Sequence, residues 1–289
     1  MATEPLYPEY LPVRPEGFTP TLNISPFVVE EPGLRADPEL PELLSPKTIL
    51  KNITPRVGTE VRGLQLSQLT PAGLDHVALL AAQRGVLVFV VYADEKVQSP
   101  PSPGLRTTYD SWHINQTFTP NTPGLTFFWV LEVPASGGGD TAFTSLTAAY
   151  NALSPALREG LHRLKLLHTS ASVGEIARLG QERALKEAVK TEHPLVISHP
   201  VTKEPVLFVN PTIARQVVGY KPNESDLLLG FLHDHIRSLD FSCRVSWEKG
   251  TLVVWDQRTV AHSAVPDFKE GERRHMVRII PMEVQPQPL

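Results

Sequence analysis

The stretch Thr251-Leu-Val-Val-Trp-Asp-Gln-Arg-Thr-Val-Ala-His262-Ser263 runs from an apolar strand through a polar turn to a histidine. It is followed by Arg273-Arg-His-Met-Val-Arg278. Because side chains alternate along a strand, Arg274 and Arg278 are predicted to share one face. Arginine binds carboxylates and sulfonates through paired hydrogen bonds and keeps its charge. The stretch therefore predicts an anion pocket near a histidine, with a solvent-facing position for one or both arginines as the alternative.

A second histidine stands in the tripeptide His113-Ile-Asn115. Residues two apart on a strand share a face, so a His-x-Asp or His-x-Glu pair supplies two ligands to one metal. A distant histidine can then complete a facial triad. Here Asn115 occupies the position of the carboxylate. Taken alone, the tripeptide is explained as well by a polar strand end, so it gains weight only from the stretch around His262.

Helix signals occur at three places in the chain. A helix is predicted from Thr70, as N-cap before Pro71, to a stop at Gly85. A second helix is predicted to start at Ser154 and to include His162 and Lys165. A third is predicted over 224–236, with one apolar face formed by Leu227, Leu228, Phe231 and Leu232.

The remaining patterned segments are short and apolar, which is typical of strands. They predict a pair of strands hinged at glycines within 54–66, and further strands at 86–92, 125–131, 195–199, 206–209, 241–247 and 251–255. Many short strands with few helices predict a mainly β fold, a β-barrel or jelly roll decorated by helices.

Proline divides the chain into two regions. Residues 1–47 contain ten prolines, which disfavour regular helix and central strand. We expect an extended arm there, either a passive tail or a segment wrapped on the domain, and one globular domain over 48–289. The segment 94–110 is predicted to be a loop and 172–190 a charged surface helix.

Composition excludes several classes of protein. The net charge is −4 and one cysteine, Cys243, is present, which argues against nucleic-acid binding, a disulfide framework and a multi-cysteine metal site. No signal peptide or membrane-length apolar run is visible, so a cytoplasmic protein without membrane contact is expected. The oligomeric state is left open, a homo-oligomer included.

Four blocks in order resemble the taurine dioxygenase and fungal sulfonate or alkylsulfate dioxygenase group. The resemblance covers residues 50–281, and its joint spacing is specific although each block alone is weak. The blocks are Ser111-Trp-His-Ile-Asn-Gln-Thr-Phe118, Leu131-Glu-Val-Pro-Ala-Ser-Gly-Gly-Gly-Asp-Thr-Ala-Phe143, His199-Pro-Val-Thr-Lys-Glu-Pro-Val-Leu-Phe-Val-Asn210, and the stretch Val254–Ser263 with 273–278.

The resemblance implies a double-stranded β-helix, a cupin-like jelly roll, that uses Fe(II), 2-oxoglutarate and O2 to hydroxylate a small anionic substrate. His113, Asn115 and His262 match the metal ligands, and no catalytic residue beyond them is implied. Thr141 and Arg274 match the residues that hold the far carboxylate of 2-oxoglutarate. The substrate position, by family a sulfonate or sulfate ester, falls to Arg278, Tyr109 and Ile213.

Three departures from the family pattern qualify this expectation. Asn115 leaves the site without its carboxylate, so the alternatives are an impaired site, an altered chemistry, or rescue by another carboxylate such as Asp110. The segment between the 86–92 strand and Trp112 is much shorter than usual. The run Gly137–Gly139 is one glycine longer, which is expected to displace Thr141. A degenerate paralogue that binds a ligand without turnover competes with the enzyme, and an unrelated cupin-like anion binder is disfavoured by the ordered blocks.

Overall fold

The structure, a computed structural model, describes residues 26–89, 112–171, 188–269, 272–281 and 285–289. The helices are α1 Pro32–Arg35, α2 Pro71–Arg84, α3 Leu146–Ala152, α4 Pro155–Leu161 and α5 Pro222–Ile236. The strands are β1 Ile49–Asn52, β2 Thr59–Arg62, β3 Val86–Phe89, β4 Leu125–Glu132, β5 Thr141–Ser145, β6 Lys165–Thr169, β7 Lys190–Pro194, β8 Val196–Ser198, β9 Pro205–Leu207, β10 Ala214–Val217, β11 Ser242–Val245, β12 Leu252–Asp256, β13 Val260–Ala264, β14 His275–Ile279 and β15 Gln287–Pro288.

The largest sheet has six strands in the order β1-β2-β3-β12-β4-β14. β2 and β3 are parallel and the other neighbours are antiparallel. β3 and β12 lie at the centre, which explains why their sequences are continuous apolar runs rather than alternating ones. The predicted strands over 86–92 and 125–131 are confirmed as β3 and β4, although residues 90–92 lie outside the described part of the chain.

A three-stranded sheet, β11-β5-β13, faces the large one. Inward side chains of both sheets share one apolar cluster, which includes Val253 and Trp255 from β12 and Phe143 from β5. The rings of Phe143 and Trp255 lie edge to face with centroids 5.5 Å apart. The predicted mainly β architecture with helices is confirmed, and the shared cluster joins the two sheets into one core.

The arm packs against the domain from residue 26 onward. Leu40 and Leu43 are buried in the cluster beneath α2, which fills the outer face of the large sheet. The expectation that the arm contains no regular helix was wrong at α1. A proline at the first turn of a helix loses no hydrogen bond, so Pro32 starts this short helix without penalty.

Local capping chemistry set the bounds of α2 as predicted. The Thr70 side chain accepts a hydrogen bond from the backbone N–H of Gly73. Gly85 ends the helix with φ of 73°, a left-handed conformation that favours glycine. The helix predicted at Ser154 also begins there, but it ends at Leu161. His162 is its C-cap, and Lys165 starts strand β6 instead of lying on the helix.

The predicted buried face of α5 was confirmed only in part. Leu232 is buried and Leu228 packs against the core, whereas Leu227 and Phe231 are 77% and 47% exposed. Packing against the cluster around β10 buries Leu229 and Ile236 together with Leu232, so the buried face is rotated from the predicted one. The first strand expected within 54–66 lies earlier, at β1. The loop predicted at 94–110 lies outside the described residues, as does most of the charged segment predicted at 172–190.

An apolar groove of about 500 Å³ lies on the outer face of the large sheet, lined in part by Phe127, Trp129 and Ile279. Because side chains alternate along β4 and β14, Phe128 and Arg278 point to the opposite, inner face. The groove is therefore separated by the sheet from the predicted site residues. Among the described residues, no helix is long and apolar enough to cross a membrane.

Candidate metal and anion site

The two predicted histidine ligands lie side by side. His113 and His262 form an isolated antiparallel bridge, each donating its backbone N–H to the other's carbonyl oxygen at 2.9 Å. Their ring centroids are 4.2 Å apart. Burial lowers the pKa of His262 well below its usual value, with His113 and Arg278 adding to the effect. The two imidazole rings therefore lie next to each other, and His262 is held as the neutral imidazole that binds metals.

A buried ionic turn carries β12 into β13 and so sets the position of His262. Asp256 bonds twice to the guanidinium of Arg258 and once to His199, at 2.7 to 3.1 Å. Arg258 also donates to Glu31 of the arm at 2.6 Å. Burial alone would raise the pKa of Asp256, but Arg258 and His199 outweigh it and hold that pKa far below its usual value. The carboxylate thus stays ionised inside the core.

Gln257 fixes the backbone of Asn115. Its Oε1 accepts the Asn115 backbone N–H at 3.1 Å, and its Nε2 donates to Thr126 at 2.7 Å. Gln257 is fully buried and both ends of its amide are used. The sequence places this residue in a turn and does not indicate its role. The sole signal was its place in a family-like block.

A second polar network supports the turn that follows Asn115. Asn210 donates through Nδ2 to the Ile114 carbonyl at 2.6 Å and to Thr117 at 2.7 Å. Thr117 also bonds to Nδ1 of His168 at 2.8 Å. Burial lowers the pKa of His168 well below its usual value, and the nearby His193 lowers it further. Sequence reasoning missed these supports, because each is an ordinary polar residue until the fold brings it beneath the turn.

The side chain of Asn115 meets Arg278. Arg278 donates from Nη1 to Asn115 Oδ1 at 3.3 Å, while Asn115 Nδ2 is buried without a partner. Arg278 is an exposed residue overall. Enough protein nevertheless surrounds its guanidinium for burial to lower the pKa of that group. The residue matched to the substrate anion is therefore in contact with the residue that replaces the metal-binding carboxylate.

Arg274 lies beside Thr141, as the sequence predicted. Its Nη2 donates to Thr141 Oγ1 at 3.4 Å, and its Nε is buried without a partner. Gly137, Gly138 and Gly139 all take positive φ, from 74° to 80°, and Thr141 lies within hydrogen-bond distance of Arg274 despite the extra glycine. Arg274 precedes β14, and a register shift separates His275 from Met276.

Gly139 is predicted to matter for the shape of the Arg274 pocket. A Cβ at this position would lie 3.0 Å from Arg274 Cδ, whereas one at Gly137 would meet nothing within 4 Å. Both positions have positive φ, so alanine is strained at each. We expect Gly139→Ala to weaken 2-oxoglutarate binding roughly 10-fold more than Gly137→Ala, measured by calorimetry. Equal affinities in the two variants would contradict this.

Arg274 is predicted to carry the affinity for 2-oxoglutarate. Burial lowers its pKa to about 10, so it stays charged at neutral pH. We expect Arg274→Ala to reduce binding to the detection limit of calorimetry, and Arg274→Lys to retain part of it, because lysine keeps the charge but not the paired donors. Equal affinity in wild type and Arg274→Ala would refute the assignment.

The other predicted residues are placed as follows. Ile213 is buried in the turn after Asn210, and the neighbouring Thr212 donates to the Trp112 carbonyl at 3.0 Å. Ile213 thus borders the segment that carries His113. Tyr109 and Asp110 lie outside the described residues. Within the described ranges, no group of three or more histidine, cysteine, aspartate or glutamate side chains could hold a metal.

The donor set fits a metal held by two imidazoles. His262 Nδ1 is a buried polar atom without a partner, and the ring of His113 lies beside that of His262, with centroids 4.2 Å apart. Asn115 Oδ1 can serve as a third, neutral donor, although Arg278 bonds to it. The described residues of the site therefore offer two nitrogen donors and no carboxylate beside them.

Comparison with known proteins decides the family. The model described as taurine catabolism dioxygenase TauD, TfdA family, matches residues 90–280. The chain belongs to the TauD/TfdA family. An alpha-ketoglutarate-dependent dioxygenase of Penicillium expansum, cnsP, is 39% identical and covers 98% of this chain and 88% of its own length. The alpha-ketoglutarate-dependent sulfonate dioxygenase of Saccharomyces cerevisiae is 34% identical over 97% of this chain and 78% of its own.

A solved TauD-type structure confirms the jelly roll. A taurine dioxygenase from Burkholderia xenovorans superposes with a TM-score of 0.70 at 26% identity, covering 84% of this chain and 93% of that one. The resemblance noted in the sequence is confirmed, and the TauD/TfdA family uses Fe(II) and 2-oxoglutarate. The match to cnsP extends over 327 positions, at least 38 more than the 289 residues here (327 − 289). The cnsP protein thus carries residues that have no counterpart in this chain.

Proposed function

We propose that this 2-oxoglutarate-dependent dioxygenase acts on a small substrate with a sulfonate or sulfate ester group, and that Asn115 impairs its metal site. The observation that carries the proposal is the 3.3 Å contact between Arg278 and Asn115 beside the paired histidines. It supports the proposal because the cationic Arg278 lies beside the two histidines and no carboxylate joins them among the described residues.

The chain provides two cationic points in one pocket region. Arg274, with Thr141, is suited to the far carboxylate of 2-oxoglutarate, since a guanidinium matches a carboxylate through paired donors. Arg278 is suited to a second anion close to His113 and His262. Ile213 and Tyr109 are proposed to border the rest of the substrate. Relatives named for their substrates agree with this class, among them the sulfonate dioxygenase of Saccharomyces cerevisiae and a sulfate ester dioxygenase of Pseudomonas putida.

The roles of the residues follow from these positions. His113 and His262 would hold the iron, and iron with 2-oxoglutarate supplies the oxidising chemistry when bound. Arg278 would orient the anion so that the adjacent carbon faces the metal. Hydroxylation of that carbon gives an unstable product that separates into an aldehyde and sulfite or sulfate.

A non-catalytic paralogue is the second candidate. It is favoured by one observation, the absence of a carboxylate among the described residues that surround the two histidines. Retention of Thr141, Arg274 and Arg278 in bonded positions favours the enzyme instead. Succinate formation that depends on added substrate separates the two candidates, because a binding protein consumes no 2-oxoglutarate.

The substrate class can be tested with a matched pair of ligands. Butanesulfonate should bind the protein, in the presence of 2-oxoglutarate, at least about 10-fold more tightly than butanol, because Arg278 contributes a charge-assisted contact. Calorimetry measures both affinities. The Arg278→Gln variant should lose this preference, and Arg56→Gln, which changes an exposed arginine bonded to the Asp240 carbonyl, should keep it. Butanol binding as tightly as butanesulfonate would sink the proposed substrate class.

A further inference from the structure

We propose that Arg278 controls the affinity of the site for metal through Asn115, so that an anionic substrate and the metal bind cooperatively. The inference rests on the proposed function and deepens it. Arg278 acts as a positioning residue for Asn115 until an anion binds to Arg278 and neutralises its charge. The substrate then helps to load the metal that its own oxidation requires.

The first step is the restricted freedom of Asn115. Its backbone N–H is held by Gln257, which is itself tied to Thr126. The residue is buried, and its Oδ1 is the atom bonded to Arg278. Because the main chain is fixed, the side chain can respond only by rotation about its own bonds. Asn115 Oδ1 is therefore the one side-chain oxygen of this residue available to both Arg278 and a metal beside the histidines.

The coupling between Arg278 and the metal arises from charge, and not from a shortage of lone pairs on Asn115 Oδ1. A carbonyl oxygen has two lone pairs and could bond to Arg278 and a metal at once. However, the guanidinium draws electron density from that oxygen and places a positive charge within a few ångströms of a divalent cation. Like charges at such distances repel, more strongly in a partly buried site than in water. An anion bound to Arg278 removes this repulsion, and the coupling must be reciprocal between the two ligands.

This coupling depends on the asparagine that the chain carries at position 115. An aspartate at position 115 would neutralise Arg278 by itself, and the metal would then meet a balanced pair. With Asn115, the charge of Arg278 has no such partner in the observed contact. The dependence of metal affinity on an anion should therefore be strong with asparagine and weak with aspartate.

The experiment is a Mn(II) titration in which the signal of free Mn(II) is followed by electron paramagnetic resonance. The full-length protein is held at saturating 2-oxoglutarate, with butanesulfonate, with butanol, or with neither. We expect butanesulfonate to tighten Mn(II) binding about 10-fold and butanol to leave it unchanged. The Asn115→Asp variant should bind Mn(II) tightly in all three conditions.

Arg278 variants test the same idea without any substrate. Arg278→Gln should bind Mn(II) about 10-fold more tightly than the native protein, whereas Arg278→Lys, which keeps the charge, should remain weak. A role confined to folding or to substrate binding predicts no gain from either change. Unchanged or weaker Mn(II) binding by Arg278→Gln overturns the inference.

The outcomes separate this inference from the proposed function. If butanesulfonate binds but leaves Mn(II) affinity unchanged, the coupling is wrong and the substrate class stands. If butanesulfonate does not bind at all, the proposed substrate class fails and the cooperative account fails with it. A gain in Mn(II) affinity with butanesulfonate that also occurs in Arg278→Gln would likewise contradict the role of Arg278.

Discussion

Replacing Asn115 with aspartate should raise the affinity for Fe(II) by more than roughly 100-fold. Loss of a residue that merely supports a ligand commonly costs 10 to 100-fold in affinity, and a carboxylate that binds the metal directly should count for more. The new carboxylate would also pair with Arg278, which now contacts Asn115 Oδ1 at 3.3 Å. Anaerobic titration of both proteins measures the change, and succinate formation should rise in parallel.

The control for added charge is Asn151→Asp. Asn151 is exposed at the end of α3, so this variant has the same net charge without a carboxylate at the site. It should bind Fe(II) as the native protein does. If the native protein already turns over 2-oxoglutarate at a rate that Asn115→Asp does not exceed, Asn115 is a working ligand and the impaired-site account is wrong.

Removing the guanidinium of Arg258 should lower the free energy of unfolding by about 3–5 kcal/mol. Arg258 and its partners Asp256 and Glu31 are each at least 94% buried, and Arg258 bonds to both carboxylates. Arg258→Ala would leave two charges in the core without their partner, whose desolvation is no longer offset. Urea unfolding monitored by fluorescence gives the difference.

An exposed ion pair provides the comparison. Arg35 bonds to Asp75 in a bidentate pair on the surface, and Arg35→Ala should lower the free energy of unfolding far less than Arg258→Ala, because solvent screens the exposed pair. Equal losses in the two variants would show that the buried turn does not stabilise the fold. Because the folded pKa of Asp256 lies below its unfolded value, its contribution is present above about pH 4 and is lost as the pH falls further.

Local sequence signals predicted the elements whose bounds depend on local chemistry. Thr70 and Gly85 bracket α2 because an N-cap hydroxyl and a positive-φ glycine act within one turn of the chain. The N-cap signal at Ser154 likewise placed the start of α4. The apolar pattern of α5 predicted only part of its buried face, since Leu227 and Leu229 are equally apolar and only tertiary packing distinguishes them.

The candidate site was predictable only through the family resemblance. No local pattern brings His113 to His262, because they are distant in sequence and meet through a bridge between two separate segments. Once the resemblance was recognised, the neighbourhood of Arg274 and Thr141 followed from it. The shift in strand register beside Arg274 and the positive φ of the three glycines before Thr141 could not be predicted from spacing alone.

The contacts that support the candidate site were not visible in the sequence. Gln257 and Asn210 are polar residues whose effect on the 113–117 segment depends on where the fold buries them. The bond from Arg278 to Asn115 joins a residue expected to bind substrate to one expected to bind metal. Through that contact, the charge of Arg278 acts directly on Asn115.

The central claim is that Asn115 leaves the metal site one negative charge short, so that 2-oxoglutarate must help to hold the iron. The most direct measurement is an anaerobic Fe(II) titration of the native protein with and without 2-oxoglutarate, followed by the visible charge-transfer absorption of the chelate and by equilibrium dialysis. The account predicts weak binding of Fe(II) alone and a gain of roughly 10-fold or more with 2-oxoglutarate, accompanied by the absorption band. Tight binding of Fe(II) alone, unchanged by 2-oxoglutarate, would contradict it.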